Sequence, residues 1–178
     1  MKKILIVFSV FLAGYWLASA EIKTPTVILD PIEASVDSLA TYLIGARWAC
    51  SGDGCSDAED IGRIADGIRE AHARYGLSIP LLVGVLMVED PWLDTTVVST
   101  AGAIGLYQVM PLHRGEWGCE YTLETIDGSI CAGSAVLASM IKRYGDERTA
   151  LLRYNGCRSA KCAGYPRKVS IQSERLET

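Results

Sequence analysis

Between Ser78 and Asp90 the chain reads IPLLVGVLMVE, apolar on nearly every side of a helix and closed by the carboxylate of Glu89. A helix that is hydrophobic all round has to be buried, so the rest of the fold must surround it. Ser78 can cap its start and Pro80 suits its first turn. A carboxyl group presented from an apolar wall has a raised pKa, which makes Glu89 a candidate general acid. The plain structural alternative is a helix-end carboxylate facing water.

Other segments carry weaker helical periods. Ile32 to Trp48 places Val36, Leu39, Ala40, Leu43 and Ile44 on one face. Ile61, Ile64, Ala65, Ile68, Ala71 and Tyr75 mark an amphipathic helix, and Gly76 stands where it should stop. Ala132 to Tyr144 is a further helix, and Asp146 can cap a last one running through Tyr154. Thr95 to Thr100 is β-branched, with room for a short strand, and Gly102 to Met110 is expected to turn into a helix stopped by Pro111. The chain therefore reads as mostly α, one domain, with few or no short strands.

The N-terminus has the form of an export signal. Lys2 and Lys3 precede an apolar run from Ile4 to Leu17, followed by Ala18-Ser19-Ala20. Residues 1–20 are expected to be a cleaved signal peptide, with retention as an anchor the alternative. Residues 21–31, with Pro25 and Pro31, are expected to be extended, and 32–178 to form the domain. Without Lys2 and Lys3 the chain carries 15 basic against 21 acidic residues, near −6. That balance argues against nucleic acid and against electrostatic capture of an anionic polymer. Local hydrogen bonds and stacking must then hold a substrate.

Cys50, Cys55, Cys119, Cys131, Cys157 and Cys162 follow that signal. An even count in an exported chain implies disulfides. They fall into three close pairs, and short loops close with least entropy, so Cys50–Cys55, Cys119–Cys131 and Cys157–Cys162 are expected. The rival, a zinc site from the two Cys-x4-Cys spacings, is disfavoured by export and by a histidine count of two. Neither His72 nor His113 sits in a Cys–His or Ser–His–Asp pattern, and both are expected at the surface.

After Glu89 comes a Trp, a small-residue turn and the run Ser99-Thr100-Ala101-Gly102-Ala103-Ile104-Gly105-Leu106-Tyr107-Gln108. Its glycines allow close approach of backbone to a ligand, and Gln108 offers an amide that donates and accepts. Glu89 to Pro111 resembles the signature of soluble lytic transglycosylases, relatives of goose-type lysozyme, which runs E-S-x-F, then S-x-x-G-A-x-G-L-M-Q-(I/V)-M-P. Upstream, YGLSIPLLVGVLMVE is similar to the family's Y-G-(L/I)-x-P-x-L-L-x-A-(V/I)-x-x-E-S. Downstream, Ala150-Leu151-Leu152-Arg153-Tyr154-Asn155-Gly156 is similar to A-L-x-x-Y-N-x-G. The resemblance runs from about Tyr75 to about Val169.

The resemblance implies a lysozyme-like α domain that cuts the β-1,4 bond between N-acetylmuramic acid and N-acetylglucosamine in peptidoglycan. It needs neither metal nor cofactor. Glu89 aligns with the sole catalytic residue, acid and then base, with closure of a 1,6-anhydro ring on the muramic sugar. One carboxyl suffices where the sugar's N-acetyl oxygen stabilises the cationic centre. Ser99, Gly102, Ala103 and Gln108 would line the substrate groove. Tyr154 would hydrogen-bond Glu89, and Asn155 would fix the loop that places Tyr154, with groove contact second.

Several positions depart from the pattern. Asp90 stands for the usual Ser, Tyr107 for a Met and expected on the groove wall, and one extra residue lies between Glu89 and Ser99. Trp92 matches the family's aromatic, with core packing and cleft lining equally open. Met110 is expected in the core. Ser129 replaces an Asn whose structural role is expected to pass to Cys119–Cys131. The partner implied is the glycan strand, in the periplasm or cell envelope. Small size and the lack of a wall-binding module suggest local wall opening for an envelope-spanning secretion or conjugation machine. The rivals are a hydrolytic muramidase of the same fold and an inactive wall-binding assembly subunit.

Overall fold

The computed structural model describes residues 38–45, 57–119, 121–157 and 162–177. The expected signal, the extended segment 21–31 and the Cys50–Cys55 pair lie outside them. Six α-helices are found among the described residues: α1 (38–45), α2 (Ala58–Tyr75), α3 (Ile79–Glu89), α4 (Ile126–Tyr144), α5 (Glu147–Tyr154) and α6 (Tyr165–Leu176). Two 3-10 turns, Pro111–His113 and Glu116–Gly118, precede α4. The expected mostly α, lysozyme-like architecture is what the chain adopts.

Helix α3 is the central element. Leu81 through Met87 are all buried, including Gly84, so its uniform hydrophobicity is satisfied by neighbours on every side. The Ser78 hydroxyl accepts from the Leu81 amide and Pro80 occupies the first turn, as the sequence predicts. Its most extensive packing is against α6, while α2 packs on α4 and α4 on α5. The α3–α6 approach depends on Gly84. A Cβ there would stand 2.7 Å from the Val169 carbonyl oxygen and 2.3 Å from Ser173 Oγ. Tyr42 donates to Gln172 at 3.2 Å and ties α1 to α6.

The other expected helices form, with revised limits. Helix α2 starts at the Asp57 cap, which accepts from Asp60 N, and ends at Gly76 with φ 69°. Helix α4 begins at Ile126, earlier than expected, because Thr125 Oγ1 accepts from Gly128 N. Asp146 caps α5 through Thr149 N, but α5 is not the last helix. Helix α6 follows it as an element not expected from the sequence, burying Tyr165, Pro166 and Val169.

The stretch Gly102 to Met110 is not helical. Gly102 and Gly105 have φ of 84° and 71°, and Gln108 has φ 46°, which interrupts any right-handed helix. It folds into turns held by single bridges, Val98 to Ile104 and Ile104 to Val109, in place of the short strand expected over 95–100. Met110 is exposed, contrary to the core placement expected for it. Cys119–Cys131 and Cys157–Cys162 are disulfides, with Cα separations of 5.7 and 5.5 Å. No helix among the described residues is long and apolar enough to cross a membrane.

Candidate active site

Glu89 ends α3 half-buried, where the apolar wall of that helix meets the start of α6. Tyr165 donates its phenol hydrogen to Glu89 Oε1 at 2.5 Å. Burial raises the Glu89 pKa above the ordinary carboxylate value, and the Tyr165 bond opposes that rise only in part. Tyr165 is itself buried, and both that burial and the Glu89 charge hold its phenol in the protonated, donating form. Sequence reasoning missed this residue. Its available signal was a Tyr immediately before Pro166, at a helix start just after the last disulfide.

The phenol expected on Glu89 was that of Tyr154. Tyr154 OH instead donates to the Tyr107 carbonyl at 2.8 Å. It remains close enough for the Glu89 charge to raise its pKa, after burial as the larger cause. Tyr154 therefore pins the signature loop, while Tyr165 holds the acid. The orientation of α5 decides this, since its C-terminal Tyr points at the loop packed beside α3.

Tyr107 is fully buried, not on the groove wall where the resemblance had put it. Its hydroxyl donates to Leu82 O at 2.9 Å, and its amide donates to Ser129 Oγ at 3.0 Å. Ser129, wholly buried, thus keeps for itself the structural link expected to pass to the Cys119–Cys131 bridge. Gly105 faces inward as well: a Cβ there would stand 2.4 Å from Leu123 O. Gly102 is different, with nothing near its missing Cβ, so it offers open backbone.

Ser99 and Ala103 close one turn. Ser99 N donates to Ala103 O at 2.9 Å, and Ser99 Oγ accepts from Ala103 N at 3.0 Å. Gln108 turns its amide nitrogen into the loop, donating to Gly105 O at 2.9 Å and Val97 O at 3.2 Å. The donor half of its amide is thereby spent on structure, and Oε1 is the atom left to meet a ligand. Asn155 is exposed and ends α5, with its amide on Leu151 O.

Asp90, the residue in place of the usual Ser, is 1% exposed and faces its own turn. Its carboxylate accepts from Trp92 N at 3.1 Å and from Asp94 N at 2.5 Å. Burial outweighs those two bonds and pushes its pKa up to about 6. Asp94 is engaged in turn, its Oδ1 accepting from Thr96 N at 2.8 Å and from Thr96 Oγ1 at 2.6 Å. Both neighbouring carboxylates are therefore committed to shaping the loop after Glu89.

A cavity of about 340 Å³ opens elsewhere, between α2 and α4, lined by Arg74, Tyr75, Tyr121, Ile130 and the Cys119–Cys131 bridge. None of the residues expected to bind substrate lines it. Glu89 does not line it either.

Residues 66–165 match the Transglycosylase SLT domain family. A protein of Enterobacteria phage PRD1, described as "Transglycosylase", is 36% identical over 107 residues, covering 57% of this chain. The match spans 40% of that phage protein's own length. With more than half its length matched, and with Glu89 and the bridged loop after it in the expected order, this chain belongs to the Transglycosylase SLT domain family.

Proposed function

We propose that the chain is a peptidoglycan lytic transglycosylase that cleaves the β-1,4 bond from N-acetylmuramic acid to N-acetylglucosamine, with Glu89 as acid and then base. The observation that carries this reading is the half-buried carboxyl at the end of α3, raised by burial and held by the Tyr165 phenol. A raised pKa keeps the proton available for donation to the leaving glycosidic oxygen. As the C1–O4 bond breaks, Glu89 becomes a carboxylate, and the Tyr165 hydrogen bond stabilises that charge. The carboxylate then removes the proton from the C6 hydroxyl of the same sugar. O6 bonds to C1, the 1,6-anhydro ring closes, and Glu89 is protonated again. No water is consumed and no net proton is released.

A second carboxylate is not required if the sugar's N-acetyl oxygen supports the cationic centre. The fixed roles of Asp90 and Asp94 in the loop favour this route over a two-carboxylate hydrolysis. Gly102 backbone and Gln108 Oε1 are the groove atoms we assign to the glycan, with Ser99, Ala103, Tyr154 and Asn155 holding the loops that carry them. An envelope location fits the paired cysteines, which persist in oxidising compartments. The partner class assigned by this reading is an envelope-spanning secretion or conjugation machine, whose passage needs a local opening in the wall.

Mass spectrometry of muropeptides released from purified wall by the protein and by Glu89→Gln tests the reaction. Anhydro products from the native protein, and a loss of roughly 10²–10⁴-fold in Glu89→Gln, are expected. Hydrated products would make it a muramidase, and no products would make it a wall-binding subunit. Full activity in Glu89→Gln would remove Glu89 from the chemistry.

A further inference from the structure

Resting on the glycan reading of the Glu89 site, we propose that Trp92 is a saccharide-stacking platform on the turn that follows the acid, and so a residue that sets glycan affinity. Trp92 lies three positions after Glu89 and is 53% exposed. A single exposed aromatic on a surface is ordinary. What distinguishes this one is the turn that presents it. The aromatic is displaced from the core by Leu93, which is fully buried although its φ is 58°. A left-handed backbone is unfavourable for a branched aliphatic residue.

The turn is also stapled. Trp92 N donates to the buried Asp90 carboxylate, Leu93 N donates to Asp90 O at 3.3 Å, and Asp94 N donates to the other carboxylate oxygen. A buried carboxylate and a strained φ are thus both spent on keeping one indole at the surface, in the turn that follows Glu89. Strain held in this way clusters at ligand clamps. The indole is rigid, with two side-chain torsions to fix, so ordering it on a ligand loses little entropy. Pyranose rings carry faces of axial C–H groups, and such a face stacks on an aromatic plane. The chain's net charge of −4 removes long-range attraction to an anionic wall, so affinity has to come from local contacts of this kind.

Calorimetric titration with chito-oligosaccharide tests the platform, using Glu89→Gln to prevent turnover. The comparison is Glu89→Gln against Glu89→Gln/Trp92→Ala and Glu89→Gln/Trp92→Phe. Trp92→Ala should weaken binding about tenfold, with Trp92→Phe restoring part of it. In the otherwise native protein, Trp92→Ala should raise KM on solubilised glycan strands much more than it lowers kcat. Thermal melts of all variants check folding, and an exposed side chain predicts unchanged midpoints. Equal affinities for Trp92→Ala and its parent would overturn the platform while leaving the Glu89 chemistry standing. So would a fall in kcat alone, or a Glu89→Gln parent that binds no oligosaccharide. Lysis by Glu89→Gln would instead strike the assignment of the acid, a result separate from the binding comparison.

Discussion

Tyr165 reaches Glu89 across the α3–α6 contact, its hydroxyl 2.5 Å from Oε1 although 76 residues separate the two in the chain. The bond opposes the effect of burial on the same carboxyl. It therefore sets how far above the ordinary value the acid titrates, and it orients the oxygen that must meet the substrate.

Removing that hydroxyl has a signed consequence. The Tyr165 bond favours ionised Glu89, so Tyr165→Phe raises the Glu89 pKa further. A general acid has to be protonated, so the alkaline limb of the lysis profile should move to higher pH, with a lower maximum from lost orientation. Tyr154→Phe removes a bond to Tyr107 O and none to Glu89. It should leave the pH profile in place and lower stability by about 1 kcal/mol. Lysis rates across pH for both variants decide the matter; a shift in Tyr154→Phe and none in Tyr165→Phe would reverse the two roles.

Asp90 predicts a pH dependence of stability. Its folded pKa of about 6 lies above its ordinary 3.8, so the unfolded chain binds fewer protons between those values. Stability therefore falls as pH rises from about 4 to about 6, on the order of 2–3 kcal/mol for this group, and is level above that window. Asp90→Asn cannot titrate. Its unfolding free energy should lack that fall, and the difference between the two proteins isolates Asp90 from the raised Glu89. Denaturant titrations at a series of pH values test this, and parallel curves would count against it.

Gly84 predicts a packing limit. A methyl group there meets the Val169 carbonyl and Ser173 Oγ well inside contact distance. The Ser173 hydroxyl can rotate away, but a backbone carbonyl cannot. Gly84→Ala should destabilise by about 1–3 kcal/mol, the usual cost of overpacking. It should also move α6 off α3, lengthen the Tyr165–Glu89 contact and lower lysis in the folded fraction. Unfolding midpoints and specific activity read both effects, and a neutral Gly84→Ala would show that the helices separate freely.

The bridge between Cys119 and Cys131 ties the turn before α4 to the helix itself. Replacing both by Ser should cost about 2–5 kcal/mol, the range for a native disulfide in a small secreted domain. Thiol titration of the unfolded, unreduced protein should find no free thiol, the third pair included. Two or more free thiols would break the pairing scheme.

Read along the chain, local signals were enough for much of the architecture. The uniform apolarity of Ile79 to Val88 required a buried helix, and Ser78, Gly76 and Asp146 marked boundaries through single short-range hydrogen bonds or backbone angles. The same signals put Glu89 at the end of α3 with an apolar wall behind it. Helix α6 was not marked locally in the same way, because no side-chain cap signals its start at Gly164. What only the tertiary structure decided is which side chain meets which. Tyr154 and Tyr165 are both tyrosines at helix ends, and nothing local says which reaches the acid. That choice follows from the crossing of α3 and α6 at Gly84, a contact between segments far apart in sequence. Whether Trp92 packs in the core was likewise open locally; in the fold Leu93, at φ 58°, is buried and Trp92 is exposed. The type and order of chemical groups are local properties of a chain, whereas their pairing depends on how distant helices pack.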